Sequence, residues 1–327
     1  MKKRNFLKGA LVGLTMAVSP MALAAQDLDT VKVAYMKIPP LVPMTYAIES
    51  GIMAKHGLEI DLTVVNGGPE LMTALASGSS EIGQTAASIA LLARSKGLPI
   101  AVFGTGDTER QPDYNHNWLL GTEEAGTTDL KSLEGKVVGV VAKGSPAELA
   151  FRSHMLAAGA DPDSVEWVAL PFPQLPAALE VGNVDAIHVG EPFHAMVMTS
   201  DKVTGIELAT GLINEEDGVE YALGAWFATD MWLADEKNQD IAKRFLRAML
   251  EANQALAADR SLVDAILVRD FGMPAEVAST TPMPLGTETL MAAPEQYGPN
   301  IRELEATGMI EAGSLDLAEA LKPVDYE

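Results

Sequence analysis

The chain has 327 residues, no cysteine, and 45 acidic against 23 basic residues, for a formal charge of −22. Its length suits two domains, and the lack of cysteine excludes a disulfide scaffold, a thiolate metal site, a CxxC redox pair, a cysteine nucleophile and a lipid-modified N-terminal cysteine. The acidity repels phosphate and so argues against nucleic acid as a partner, while 48% hydrophobic residues supply a core and argue against intrinsic disorder.

The first 25 residues read as an export signal. Met1 to Lys8 are strongly basic, Gly9 to Ser19 are mildly apolar, and Pro20 with Ala22-Leu23-Ala24 supplies a small-residue cut site after Ala24 or Ala25. The apolar run is too short to cross a bilayer as a helix, which needs about 20 residues. Lys3-Arg4-Asn5-Phe6-Leu7-Lys8 resembles the twin-arginine motif with Lys in the first position, so twin-arginine and general secretion both remain open. Either route ends outside the cytoplasm.

Beyond the signal, Val31–Tyr35 alternates as a strand. Residues 42–55 read as one helix with Gly57 past its end, and Leu58–Val65 as a second strand. A turn at Asn66-Gly67-Gly68-Pro69 leads to a helix near 69–77. A short strand at Glu81–Gln84, an apolar helix over 86–96 and a strand at Pro99–Phe103 follow. The rhythm repeats with strands at Lys136–Val141, Val165–Leu170 and Val184–Val189. Helices are expected from Ser145 to about Ala158, at Gln174–Val181 and over 191–199. A third stretch opens with a strand at Tyr221–Ala228 and continues as helices over 237–258, 261–270, 274–279, 287–293 and 299–306. Strand–helix alternation with short connections predicts parallel α/β sheets. Gln111–Asn117 and Asn214–Glu220 are the candidate crossings between two lobes.

Several strand-to-helix junctions carry residues suited to a ligand. Lys143-Gly144-Ser145-Pro146-Ala147-Glu148 reads as a capping box with Pro at the first helical position. Directly after a strand, such a helix start presents free N–H groups and attracts anions. The same residues also describe a capped helix with no ligand. Asn66-Gly67-Gly68-Pro69-Glu70 and Gln84-Thr85-Ala86-Ala87-Ser88 occupy equivalent positions, where open α/β sheets bind ligands. Glu191, beside Pro192, is either a ligand-amine partner or a favourable first-turn acid. Tyr114, Phe172, Phe193 and Trp226 could wall a pocket or pack in the core. Trp118, Trp167 and Trp232 read as core or support.

The chemistry-bearing motifs of enzymes are missing. HExxH, GxSxG, GxGxxG and GxxxxGK[ST] do not occur. His56, His116, His154, His188 and His194 share no metal-ligand spacing and read as structural or surface residues. Ile241, Phe245, Leu246, Met249 and Leu250 form the packed stripe of the 237–258 helix, with Lys243, Arg244 and Arg247 on the expected solvated face.

Five segments, in this order and spacing, resemble one family. They are Val31–Tyr35 with Glu49-Ser50-Gly51-Ile52-Met53-Ala54-Lys55-His56-Gly57-Leu58; Ala74-Leu75-Ala76-Ser77-Gly78 with Glu81-Ile82-Gly83; Ser132-Leu133-Glu134-Gly135-Lys136-Val137-Val138-Gly139-Val140; Val181-Gly182-Asn183-Val184-Asp185-Ala186; and Glu191-Pro192. Over most of residues 29–255 the chain resembles ABC-transporter periplasmic substrate-binding proteins of the sulfonate/taurine/nitrate and thiamine-pyrimidine type.

The resemblance implies an α/β, two-lobed type II periplasmic-binding-protein fold with a ligand cleft between lobes joined by two crossing strands. Lobe 1 is expected over 26–115 plus 221–327, and lobe 2 over 116–220. The implied ligand contacts are Lys37, Asn66, Gly67, Thr85, Ser88, Lys143, Gly144, Ser145, Phe172, Glu191 and Trp226. No catalytic residue, metal or cofactor is implied. The implied partners of this periplasmic monomer are a small molecule and an ABC permease of the inner membrane, reached after hinge closure. The ligand is a sulfonate- or taurine-like organic anion or zwitterion, or alternatively an aromatic nitrogen heterocycle such as a thiamine-precursor pyrimidine. Fungal pyrimidine synthases resemble the same family but use a cysteine-rich iron site, which a chain without cysteine lacks.

Overall fold

The computed structural model describes residues 28–326 other than 66, 111–116, 192, 212–219, 284 and 287. The expected export segment, Asn66, Tyr114, His116, Pro192 and most of both expected crossings therefore lie outside the described residues. In chain order the first half-lobe comprises β1 (Asp29–Met36), α1 (Val42–Glu49), α2 (Ile52–Lys55), β2 (Leu58–Val65), α3 (Gly68–Ala76), β3 (Ile82–Ala86), α4 (Ala87–Ser95) and β4 (Ile100–Arg110). A second group follows: β5 (Trp118–Thr122), β6 (Val137–Val140), α5 (Pro146–Ala157), β7 (Glu166–Ala169), α6 (Leu175–Glu180), β8 (Ala186–Val189), α7 (Phe193–Met198) and β9 (Gly205–Thr210). The chain closes with β10 (Glu220–Thr229), α8 (Asp230–Leu233), α9 (Glu236–Ala258), α10 (Arg260–Phe271), α11 (Ala275–Thr280), α12 (Pro294–Ala306) and α13 (Leu317–Ala320).

These strands form two five-stranded sheets, ordered β2-β1-β3-β10-β4 and β7-β6-β8-β5-β9. In the first, β1 runs parallel to β2 and β3, and β10 returns antiparallel between β3 and β4. In the second, β6 is parallel to β7 and β8, while β5 is antiparallel to β8 and β9. Each sheet thus has three adjacent parallel strands on one side, as the strand–helix rhythm predicts, and is completed by an antiparallel strand and its neighbour that the rhythm does not announce.

Four differences from expectation have identifiable physical causes. The helix expected over 42–55 is two helices, because Gly51 adopts φ 78, a left-handed conformation that ends α1. The strand expected at Pro99–Phe103 extends to Arg110, because its whole length pairs with β10. Strands β5 and β9 have no counterpart among the expected elements; they exist by pairing with each other and with β8. Residues 288–293 form no helix. Met291 bridges Gly104 in antiparallel sense, and Thr105 N–H donates to the Leu290 carbonyl at 2.8 Å. Burial alternates there, with Leu290 and Ala292 inside and Met291 out. Edge pairing with β4 therefore overrides the helix-forming composition of this segment.

The core of the first lobe is built on α9. Asp235 caps this helix by accepting from the N–H groups of Lys237 and Asn238. Its buried stripe of Ile241, Phe245, Leu246, Met249, Ala252 and Leu256 packs onto the sheet. Phe245 meets Trp226 edge-on at 4.9 Å, and Trp226 meets Tyr35 at 5.6 Å. The face expected to be solvated is partly engaged. Arg244 donates to Asp29 Oδ2 at 2.7 Å and to the Gly57 carbonyl at 3.0 Å, and Arg247 donates to the Tyr326 carbonyl. Hydrogen bonds from Lys237 and Arg244 hold the Asp29 carboxyl below its usual value.

β4 and β10 tie the lobes together. They stay paired from Ile100–Thr229 to Arg110–Glu220. At the far end Tyr221 and Leu223 belong to the apolar cluster of the second sheet, with Leu119, Phe151 and Met155. Phe245→Ala should cost about 3–5 kcal/mol of stability, read as a lower urea midpoint, because it empties the contact between α9 and the Trp226 ring.

Candidate functional site

Three helix starts gather where the sheets hand over to helices. α3 follows Gly67 and α4 follows Ala86, and neither has a side-chain cap, so their first N–H groups have no side-chain acceptor from the capping residue. The two starts are adjacent: a methyl group on Gly68 would lie 3.3 Å from Ile89 Cγ2. Thr85 and Ser88 flank the start of α4, and both are fully buried. The Thr85 hydroxyl has no hydrogen-bond partner, whereas Ser88 Oγ donates to the Gly144 carbonyl at 3.3 Å.

That bond joins the lobes. Gly144 adopts φ 73, and a methyl group there would sit 2.4 Å from Leu92 Cδ2 of α4. Leu149 of α5 packs among Leu91, Leu92 and Tyr297 of the first lobe. The capping residue of α5 is Ser145, whose Oγ accepts from the Glu148 N–H at 3.4 Å. The Glu148 carboxylate reaches the Gly144 N–H at 2.8 Å, one residue further back than a capping box places it, and Arg152 holds its other oxygen at 3.0 Å. The structure thus brings Gly67, Thr85, Ser88, Gly144 and Ser145 to one seam.

The other expected contacts engage their own surroundings. Lys37 and Lys143 are exposed, and the Lys37 charge acts on Asp270 at the end of α10. Phe172 is half-buried, with its ring parallel to Phe193 at 6.3 Å. Trp226 is 2% exposed and packs in the first-lobe core. Glu191 accepts from the Ala195 N–H at 3.1 Å and meets His194 Nδ1 at 3.1 Å, the geometry of a first-turn acid. His194 continues to Glu207 at 2.8 Å and stacks on Trp118 at 4.2 Å. Burial disfavours its charged ring, but the bonds from Glu191 and Glu207 outweigh that and raise it above the ordinary histidine value.

A second feature on this sheet edge escapes sequence reasoning. On the α9 side a small cavity lies among Tyr35, Gln84, Asp107, Trp226 and Asn253, with about 10 Å³ open to the centre of a water-sized sphere. Burial pushes Asp107 up to about 7; a Gly224 backbone N–H opposes this and the nearby Glu109 adds to it. The available signals were acids at 107 and 109 inside a strand and an Asn on the buried stripe of a helix. Among the described residues no group of three acidic or imidazole side chains is placed to hold a metal, and no helix is long and apolar enough to cross a membrane.

Two outcomes test this geometry. Gly144→Ala should lose about 1–2 kcal/mol from the left-handed backbone alone, more if Leu92 resists displacement, and thermal unfolding reads it. The raised His194 ring contributes stability that is complete below pH 6.5 and lost as pH rises through its folded value. Ring-proton NMR should therefore place its midpoint above 6.5, and Glu207→Gln should bring it down.

The family model described as NMT1-like matches residues 24–266. Over 280 residues the chain is 25% identical to an Escherichia coli (strain K12) protein named for binding aliphatic sulfonates, covering 85% of this chain and 82% of that one. It is 26% identical over 323 residues to the taurine-binding periplasmic protein of the same organism, covering 94% and 91%. Among solved structures, the alkanesulfonate-binding protein SsuA from Xanthomonas axonopodis pv. citri, bound to MOPS, superposes with a TM-score of 0.73 at 17% identity, over 90% of this chain and 98% of that one. The paired sheets joined by β4 and β10 thus have the periplasmic-binding-protein fold, and the chain belongs to the NMT1-like family.

Proposed function

We propose that this chain is the solute-capturing component of an ABC importer and that it takes a small organic anion or zwitterion of the sulfonate or taurine type. The observation that carries this reading is the meeting of the α3, α4 and α5 starts at one seam between two lobes, through the Ser88–Gly144 bond. Free N–H groups at helix starts favour an anion even on an acidic protein, because nearby dipoles outweigh distant charges once water is excluded. Relatives named for sulfonate and taurine binding support the same ligand class.

In this reading the lobes divide as 26–115 plus 221–327 and 116–220, and the β4–β10 pair is the hinge. Gly67, Thr85, Ser88, Gly144 and Ser145 hold the anion when the seam opens to admit it and closes again. Lys37 and Lys143 lie on the adjoining loops, Phe172 and Glu191 on the second-lobe side, and Trp226 behind the first-lobe wall; Asn66 is included as a ligand contact on its sequence position alone. The ligand leaves unchanged, through a membrane permease, on the outer side of the inner membrane.

A thermal-shift screen tests the ligand class. Taurine, ethanesulfonate or a longer alkanesulfonate at 100 times its dissociation constant should stabilise the protein by about 2.7 kcal/mol. Ser88→Ala and Ser145→Ala should each weaken binding by about tenfold, the worth of one hydrogen bond to a charged group. A shift from an aminopyrimidine with none from any sulfonate would replace this ligand class with the heterocycle.

A further inference from the structure

We propose that the cavity on the α9 side of the first sheet is a subsite for a primary ammonium group, held by Asp107, Gln84 Oε1 and Asn253 Oδ1 against the Tyr35 and Trp226 rings. This deepens, and rests on, the reading of the chain as a solute-binding protein, and it makes the solute an amine-bearing one.

The argument starts from unmet hydrogen bonds. Gln84 is 3% exposed and Asn253 2%, yet Gln84 Oε1 and Asn253 Oδ1 have no partner, and both residues line the cavity. A buried polar atom left unpaired is costly, so two beside one cavity call for a donor. The Asn253 amide is oriented by its own bond, since Nδ2 donates to the Gly286 carbonyl at 2.9 Å and leaves Oδ1 as the free end. The Gln84 nitrogen is placed by Gly224. A methyl group on that glycine would fall 2.5 Å from Gln84 Nε2 and 2.0 Å from Asp107 Oδ1, so only glycine lets the two side chains converge.

The third acceptor is Asp107, 8% exposed, and the cavity lining contains no Lys, Arg or His. Three acceptor groups match the three N–H donors of a primary ammonium. A hard metal cation would want six or more oxygen ligands. The size fits as well, because the space admits about one water and an ammonium head is of that size, whereas a quaternary ammonium is not. Two aromatic residues in the lining suit a cation. The incoming charge would displace the proton that burial favours on Asp107. Glu109 on the same strand reinforces that protonation, and the Tyr35 and Tyr297 hydroxyls, both raised, stay neutral near pH 7.

The experiment is titration of the purified protein with methylammonium, tetramethylammonium and potassium chlorides at matched ionic strength, and with taurine beside ethanesulfonate, followed by calorimetry and tryptophan fluorescence. Methylammonium should bind saturably while the other two cations do not, and taurine should bind at least about tenfold tighter than ethanesulfonate. Methylammonium affinity should fall about tenfold from pH 8 to pH 6 as Asp107, at about 7, takes up its proton. Asp107→Asn should abolish the methylammonium response. Asn253→Leu should weaken it about tenfold and serves if the first variant fails to fold. Equal binding of potassium, a pH-independent response, or a response kept in both variants overturns the subsite. Ethanesulfonate binding as tightly as taurine, with methylammonium silent, overturns the subsite and leaves the sulfonate reading standing. Methylammonium binding with both sulfonates silent does the reverse. Silence from every probe sinks both.

Discussion

The antiparallel ladder between β4 and β10 is the constraint on which the rest of the molecule depends. It joins residues more than a hundred positions apart, closes the first sheet with a strand from the C-terminal part of the chain, and carries Tyr221 and Leu223 into the core of the second sheet. Backbone hydrogen bonds along two long strands resist stretching and shear. The same ladder sets the small cavity, because its irregular register around Gly224 brings Asp107 beside Gln84.

The sign of the whole chain does not fix the electrostatics at a helix start. The formal charge of −22 does not decide what a buried seam attracts, because helix-start dipoles act at a few ångströms with little water between. The protein's own carboxylates compete for those dipoles. Glu148 already occupies one N–H before α5, and Glu191 one in α7. The starts of α3 and α4, capped by Gly67 and Ala86, lack such an internal anion from the capping residue. The contrast separates helix starts whose neighbouring side chains already supply an acceptor from those whose capping residue supplies none.

Much of the architecture is local in origin and was legible. The parallel strands alternate or run apolar, the helices between them carry glycines past their ends, and the Ser145 cap on the Glu148 N–H links neighbours in sequence. Misreadings arose where a distant partner decides. Residues 288–293 are rich in helix formers yet lie along the edge of β4. β5 and β9 owe their extended form to each other and to β8. Arg244, read as solvated, is drawn to Asp29.

By itself the sequence determined the α/β class, the absence of thiol chemistry, the strand-to-helix junctions and the resemblance that points to a binding protein. These follow from periodicity, composition and neighbours within a few residues. Only the tertiary structure decided that Ser88 meets Gly144, that Glu191 turns to its own helix, and that Gln84, Asp107 and Asn253 share one cavity. Those residues are separated by long stretches of chain, and burial changes their chemistry only after the sheets and α9 have packed.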